Sequence, residues 1–196
     1  IVLAGGKSTR LGRDKAIEPL GDEFLIQRVL RRLSQVTDET IVVVADSSRG
    51  RELPLSESTR VAVDLYPRCG SLGGIFTGLT AASGNWGIVV ACDMPFLNVN
   101  LLNHLLSVRE GYEVVVPVLN GRPEPTHAVY SIRCLPQIEY HLKSNDLKIS
   151  KFFDKVRVNY IPSEKITIED PEHLSFFNVN TQEELDLALS LVDRGH

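Results

Sequence analysis

The first sixteen residues, IVLAGGKSTRLGRDKA (1–16), decide the architecture. Ile1 to Ala4 are apolar at consecutive positions, which is the pattern of a strand covered on both faces of its sheet. Gly5 and Gly6 follow at once, and then Lys7, Arg10, Arg13 and Lys15, in a chain whose formal net charge is −4. Glycine lets backbone N–H groups approach phosphate oxygens closely, and cations offset the charge they meet there. The stretch is suited to holding a small polyanion near the end of a strand. Its spacing is neither of the two commonest solutions. Lys7-Ser8 comes directly after the glycines, so G-x-x-x-x-G-K-[ST] is absent, and so is G-x-G-x-x-G.

The alternation begun there continues along the chain. Apolar, β-branched runs at 40–46, 61–66, 87–95 and 113–119 are separated by helical stripes, Leu25, Ile26, Val29, Leu30 and Leu33 in one case and Leu101, Leu102, Leu105 and Leu106 in another. Such a βαβ order predicts a parallel, doubly wound sheet. Beyond residue 120 the pattern loosens into NGRPEPTHAVYS (120–131), a turn leading into a strand at 126–131. A helix opening at Pro136, a strand in VRVNYIP (156–162) and a last helix behind a capping box, Thr181 with Glu184, complete the expected order. No repeat or linker interrupts it, so one domain over 1–196 is expected.

Bulk properties close off other classes. With 43% hydrophobic and 23% charged residues the chain has the make-up of a soluble globular protein. It has neither an apolar run of membrane-spanning length nor a secretory leader pattern, so a cytoplasmic location is expected. Three cysteines, Cys69, Cys92 and Cys134, without a C-x-x-C pair argue against a disulfide framework or a zinc site. Mild acidity argues against a nucleic-acid partner. The five histidines lack ligand spacing.

Two aspartates end apolar strands. Asp93 closes GIVVACD (87–93), at the carboxyl edge where open α/β sheets bind ligands. A carboxylate there suits Mg²⁺, which takes one or two protein carboxylates and completes its shell with substrate phosphates. The helix cap that would otherwise explain it falls more naturally to Asn98. Asp64 closes VAVD (61–64) in the same manner, although a lone aspartate at a strand end is also a turn former.

Taken whole, LAGGKSTRLGRDK (3–15) resembles the signature L-A-G-G-x-S-x-R-M-G-x-D-K of nucleotidyltransferases that activate small phosphorylated molecules, most closely the molybdenum cofactor guanylyltransferases. Leu11 in place of methionine is the one departure, and it preserves volume and polarity. ACDMP (91–95) resembles the family's metal motif C-D-x-P. GSLGGI (70–75) resembles its base-recognising loop G-P-L-A-G-I, PTHAVY (125–130) resembles P-L-x-A-L-Y, and FFNVNTQEEL (176–185) resembles F-x-N-I-N-T-P-E-D-L.

The resemblance implies a three-layer sandwich with a Rossmann-like, mostly parallel sheet and some antiparallel strands toward the C-terminus. It implies transfer of GMP from GTP to molybdenum-molybdopterin, with Mg²⁺ on Asp93 and with Arg10, Lys15 and Asp93 as the catalytic set. Leu3, Ala4, Gly5, Gly6, Gly12, Asp46, Asp64, Gly70, Gly73 and Gly74 would meet the nucleotide. Asp46 stands where the family usually has asparagine. Asn178, Asn180 and Lys148 would meet the acceptor, the two asparagines from one face of a short strand, and transient contact with molybdoenzymes is implied as well. Lys7 and Arg13 fall at variable positions and read as surface charge. A CTP-using transferase and a non-catalytic nucleotide or cofactor carrier are the alternatives. Joint retention of Arg10, Lys15 and Asp93 disfavours a pure carrier.

Overall fold

The computed structural model describes residues 1–6 and 13–196. In chain order its elements are β1 (Val2–Leu3), the hairpin β2 (Pro19–Leu20) and β3 (Glu23–Phe24), α1 (Leu25–Leu33), β4 (Ile41–Val44), α2 (Ser47–Glu52), β5 (Arg60–Val63), α3 (Gly70–Ala81), β6 (Trp86–Ala91) and α4 (Val99–Ser107). There follow β7 (Val114–Leu119), β8 (Arg122–Pro123), β9 (His127–Ser131), α5 (Leu135–Lys143), β10 (Val158–Ile161), α6 (Ser163–Glu169) and α7 (Gln182–Asp193).

The main sheet runs β10-β7-β9-β6-β1-β4-β5, with β8 attached to β7. Strands β5, β4, β1 and β6 are mutually parallel, with Val2 level with both Val42 and Val90. Strand β9 runs antiparallel between β6 and β7, while β10 is parallel to β7. The expected three layers and mostly parallel sheet are therefore present, and the antiparallel strands lie in the later half. From β1 the chain builds outward through β4 to β5, then crosses back to place β6 on the other side. That reversal opens a crevice at the carboxyl ends of the strands.

Consecutive apolar residues make this sheet two-sided, as the sequence pattern predicts. Val2, Val42, Val44, Ile88, Val90 and Val129 pack under α1, α4 and α6, while Ile41, Val43, Val89, Val114, Ala128 and Tyr130 pack under α3 and α5. Asn98 caps α4 by accepting from the N–H groups of Asn100 (2.9 Å) and Leu101 (3.1 Å). This leaves Asp93 without a capping role there. Helix α3 lies close on the sheet because it has glycine where it meets β1. A Cβ on Gly78 would come within 2.3 Å of Ile1 Cγ2, and one on Gly74 within 2.9 Å of Leu3 Cδ2.

A third cluster, Leu20, Leu25, Phe96, Val179, Leu185, Ala188 and Leu191, fastens α7 to the β2–β3 hairpin. The hairpin, α2 and α6 are elements that the periodicity did not reveal. Residues 177–180, expected as a short strand, belong to no sheet. Among the described residues no helix is long and apolar enough to cross a membrane.

Candidate active site

A cleft of about 560 Å³ opens where the chain direction reverses. Its floor is the carboxyl edge of the parallel strands: Leu3, Gly5 and Gly6 after β1, Val43 and Ala45 at β4, and Ala91, Cys92 and Asp93 at β6. Its walls are Asp14 and Lys15 on one side and Asp64, Arg68, Gly70, Ser71 and Gly74 on another.

At the centre stand Lys15 and Asp93, only 17% and 15% exposed at their side chains. Lys15 Nζ lies 3.1 Å from Asp93 Oδ2 and donates to Asn180 Oδ1 at 2.5 Å. Residues 78 and 165 positions away thus meet on one ammonium group. Asp93 Oδ1 is buried and accepts no hydrogen bond from the described residues. A buried carboxylate oxygen without a donor is costly, and it persists where a ligand completes it. Among the described residues no cluster of three or more His, Cys, Asp or Glu could hold an ion alone. A single carboxylate with a spare oxygen fits an ion that takes its remaining ligands from phosphate and water, as Mg²⁺ does. Desolvation pushes the thiol of neighbouring Cys92 up to about 12, so it stays protonated and is no nucleophile.

A segment from the C-terminal part closes the site. Val179 N–H donates to the Asp93 carbonyl at 2.9 Å, and the Glu184 carboxylate accepts from the N–H groups of Asn180 (2.7 Å) and Thr181 (2.9 Å). Both halves of the predicted capping box are formed.

Residues 1–158 match the family model of the MobA-like NTP transferase domain. The chain belongs to that family. Relatives include a "Probable molybdenum cofactor guanylyltransferase" of Pelotomaculum thermopropionicum, 38% identical over 94% of this chain and 88% of that protein. Another is the molybdenum cofactor guanylyltransferase of Desulfosudis oleivorans, 36% identical over 100% of this chain and 96% of that protein. The crystal structure of molybdopterin-guanine dinucleotide biosynthesis protein A from Archaeoglobus fulgidus is similar with a TM-score of 0.86 at 30% identity, covering 98% and 97% of the two chains.

Within this MobA-like framework the residues singled out from sequence divide into two groups. Leu3, Gly5, Gly6, Lys15, Asp64, Gly70, Gly74 and Asp93 all line the cleft. Arg10 and Gly12, together with Lys7, lie outside the described residues. Arg13 is a surface residue, bonded to Gln182 (2.7 Å) and paired with Glu18 (3.0 Å), as its variable position in the signature implies.

Six expected nucleotide or acceptor contacts, Asn178 and Asn180 among them, are not in the lining. Ala4 is buried in the sheet, its N–H on the Val43 carbonyl at 2.9 Å, because strand alternation turns it to the face opposite Leu3. Gly73 faces the Tyr66 carbonyl, from which a Cβ would be 2.8 Å away. Asp46 caps α2, accepting from Arg49 N–H at 3.0 Å. Lys148 is exposed ahead of the 3-10 turn Ile149–Lys155. The predicted base loop is the first turn of α3 itself.

The asparagines also depart from expectation. Asn178 turns its amide to the Phe176 carbonyl (2.8 Å), and Asn180 holds Lys15. They do not share a strand face, because the segment is fixed by side-chain bonds instead of a ladder.

Sequence reading missed Arg49. It lies in the cleft wall and grips both oxygens of Asp14, with Nη2 to Oδ1 at 2.6 Å, while Asp14 Oδ1 caps the turn bearing Lys15 through Ala16 N–H at 3.1 Å. The available signal was local. Asp46 is an N-cap, which places Arg49 in the first turn of a helix that starts at the carboxyl edge.

Proposed function

We infer that this chain transfers a guanylyl group from GTP to the molybdenum-molybdopterin cofactor, giving the guanine dinucleotide form and pyrophosphate, in an Mg²⁺-dependent reaction of the cytoplasm. The observation that carries the reading is Asp93, one oxygen on Lys15 and the other buried without a partner among the described residues, in a MobA-like cleft. The names of the relatives supply the substrates.

An acceptor phosphate oxygen is already ionised at neutral pH, so no side chain has to remove a proton. It attacks the α-phosphorus of GTP, a new P–O bond forms, and the α–β bridging bond breaks with its electron pair leaving on pyrophosphate. What the chain supplies is position and charge. Asp93 would hold Mg²⁺ through its unpartnered oxygen, and the ion would neutralise phosphate charge. Lys15, beside Asp93, would meet the triphosphate, joined by Arg10 in the resemblance. Leu3 and Gly74, which line the cleft where β1 meets α3, would lie against the base. Contact with molybdoenzymes remains part of this proposal and would follow product release.

The test is thermal unfolding with GTP, CTP, ATP or UTP, each with and without Mg²⁺. A ligand of the native state alone raises Tm by mass action. The expected result is the largest rise with GTP plus Mg²⁺, together with pyrophosphate release only when the molybdopterin acceptor is added. A larger rise with CTP moves the chain to a cytidylyl donor. Nucleotide binding without any release of pyrophosphate makes it a carrier.

A further inference from the structure

The capping box of α7 serves a second purpose that its sequence signature does not announce. In an ordinary box the glutamate side chain returns to the N–H of the N-cap residue. Here Glu184 Oε2 accepts from Thr181 N–H at 2.9 Å and also, more closely, from Asn180 N–H at 2.7 Å. Asn180 lies outside the helix, and its amide oxygen receives Lys15 Nζ at 2.5 Å. Lys15 in turn reaches Asp93 Oδ2 at 3.1 Å. The chain of contacts therefore runs from a C-terminal helix to both central groups of the cleft. It starts beyond residue 158, where the match to the family model ends.

We propose that Glu184 is a positioning residue of the active site, fixing the Asn180 amide so that Lys15 is aimed at the nucleotide phosphates. This rests on the reading above that Lys15 acts on those phosphates. A lysine ammonium on a four-carbon stem has many rotamers, and its orientation must come from the groups that accept its protons. Asp93 alone is a poor guide, because the same carboxylate is the proposed metal ligand and its grip on Lys15 loosens when an ion competes for it. Asn180 is neutral and does not compete for the ion. Its own position depends on the backbone at 180, which no sheet ladder holds. Glu184, the Val179 N–H bond to the Asp93 carbonyl at 2.9 Å and the burial of Val179 hold it instead. An ionised acceptor taking two N–H bonds is a stronger tether than a neutral one.

A double-mutant cycle on kcat/KM for GTP tests this, with Tm measured on every variant. Glu184→Ala is expected to lower kcat/KM about tenfold, since a displaced catalytic group costs rate steeply. In an Asn180→Ala background the same substitution should change it by about twofold or less, because its route of action is already gone. Glu184→Gln, which keeps a carbonyl oxygen for both N–H groups, should restore most of the activity. Thr181→Ala controls for the helix cap alone. It removes the hydroxyl that accepts Glu184 N–H at 3.2 Å and leaves the carboxylate on Asn180. Equal losses from Glu184→Ala in both backgrounds would overturn the inference. So would a Thr181→Ala variant that lost as much activity for the same fall in Tm. Lys15→Ala separates the two levels: full activity in that variant refutes the functional reading, whereas lost activity without coupling between Glu184 and Asn180 refutes only the role of Glu184.

Discussion

The carboxyl ends of β5 and β6 offer the same sequence pattern, an apolar strand closing on aspartate, and the structure gives the two carboxylates different partners. At β5 one oxygen of the carboxylate is taken up by its own fold, while the residue still lines the cleft. Asp64 Oδ1 accepts from Tyr66 N–H and from the Thr77 hydroxyl, both at 3.0 Å, and Thr77 takes Leu65 N–H at 2.9 Å. This ties the turn to the second turn of α3. At β6 polar groups are left over. Among the described residues Asp93 keeps a buried oxygen without a donor, and His127, level with Val90 on the adjoining strand, is wholly buried with no partner on either ring nitrogen. Strand position places a carboxylate at the ligand edge. Whether it is available to a ligand depends on what the next few residues donate to it, and VDLYP donates where CDMPF does not.

The first way to break this contrast is Asp93→Asn. If the spare oxygen is reserved for an ion, the amide keeps the shape but loses the charge, and kcat should fall about a hundredfold or more. Tm should change little, because relief at the under-satisfied oxygen is offset by the weaker contact to the largely buried Lys15. Steady-state rates with varied Mg²⁺, beside a melting curve, check both halves. Activity near that of the unaltered chain would place the metal elsewhere.

The second concerns His127, which stacks on Phe176 with ring centroids 4.5 Å apart. Burial lowers its pKa from 6.5 to about 4. Between those values the unfolded chain binds a proton that the folded chain refuses, so stability falls as pH drops from 6.5 toward 4 and levels off below. The full loss is on the order of 3 kcal/mol. His127→Leu should flatten that part of a Tm-against-pH curve whatever it does to Tm at neutral pH. A slope that survives the substitution would assign it to other groups.

Much of this was legible because it is local. The run 1–6, the apolar strands and the capping box each fit within a dozen residues, and their periods state the layer order directly. Asp93 could be placed because a strand end and a missing cap are both local facts. What could not be read were partnerships across the chain. Nothing near Asn180 says that its amide meets Lys15, and nothing near Arg49 says that it grips Asp14. Asp46 and Gly73 have roles in the fold that the sequence did not announce, Asp46 as the cap of α2 and Gly73 in the close approach to Tyr66. Lys148 is an exposed cation ahead of a 3-10 turn, and a lone surface charge carries no geometric information in its sequence.

The smallest expected effect sharpens the comparison from the β5 side. Asp64→Ala removes one acceptor from two donors, the part-buried Tyr66 N–H and the Thr77 hydroxyl. Losing two such bonds costs about 1–2 kcal/mol, and the loss should appear as a lowered Tm. The effect on kcat should be smaller than that of Asp93→Asn, because the bonded oxygen of Asp64 braces the turn onto α3. Thr77→Val provides the matching control. It removes the other half of the same bond, so the double variant should cost less than the sum of the two single ones. Should Asp64→Ala instead match Asp93→Asn in lost turnover at unchanged Tm, the two strand ends would be alike. Asp64 would then be a second carboxylate of the metal site, and the Thr77 bond an arrangement that gives way when substrate binds.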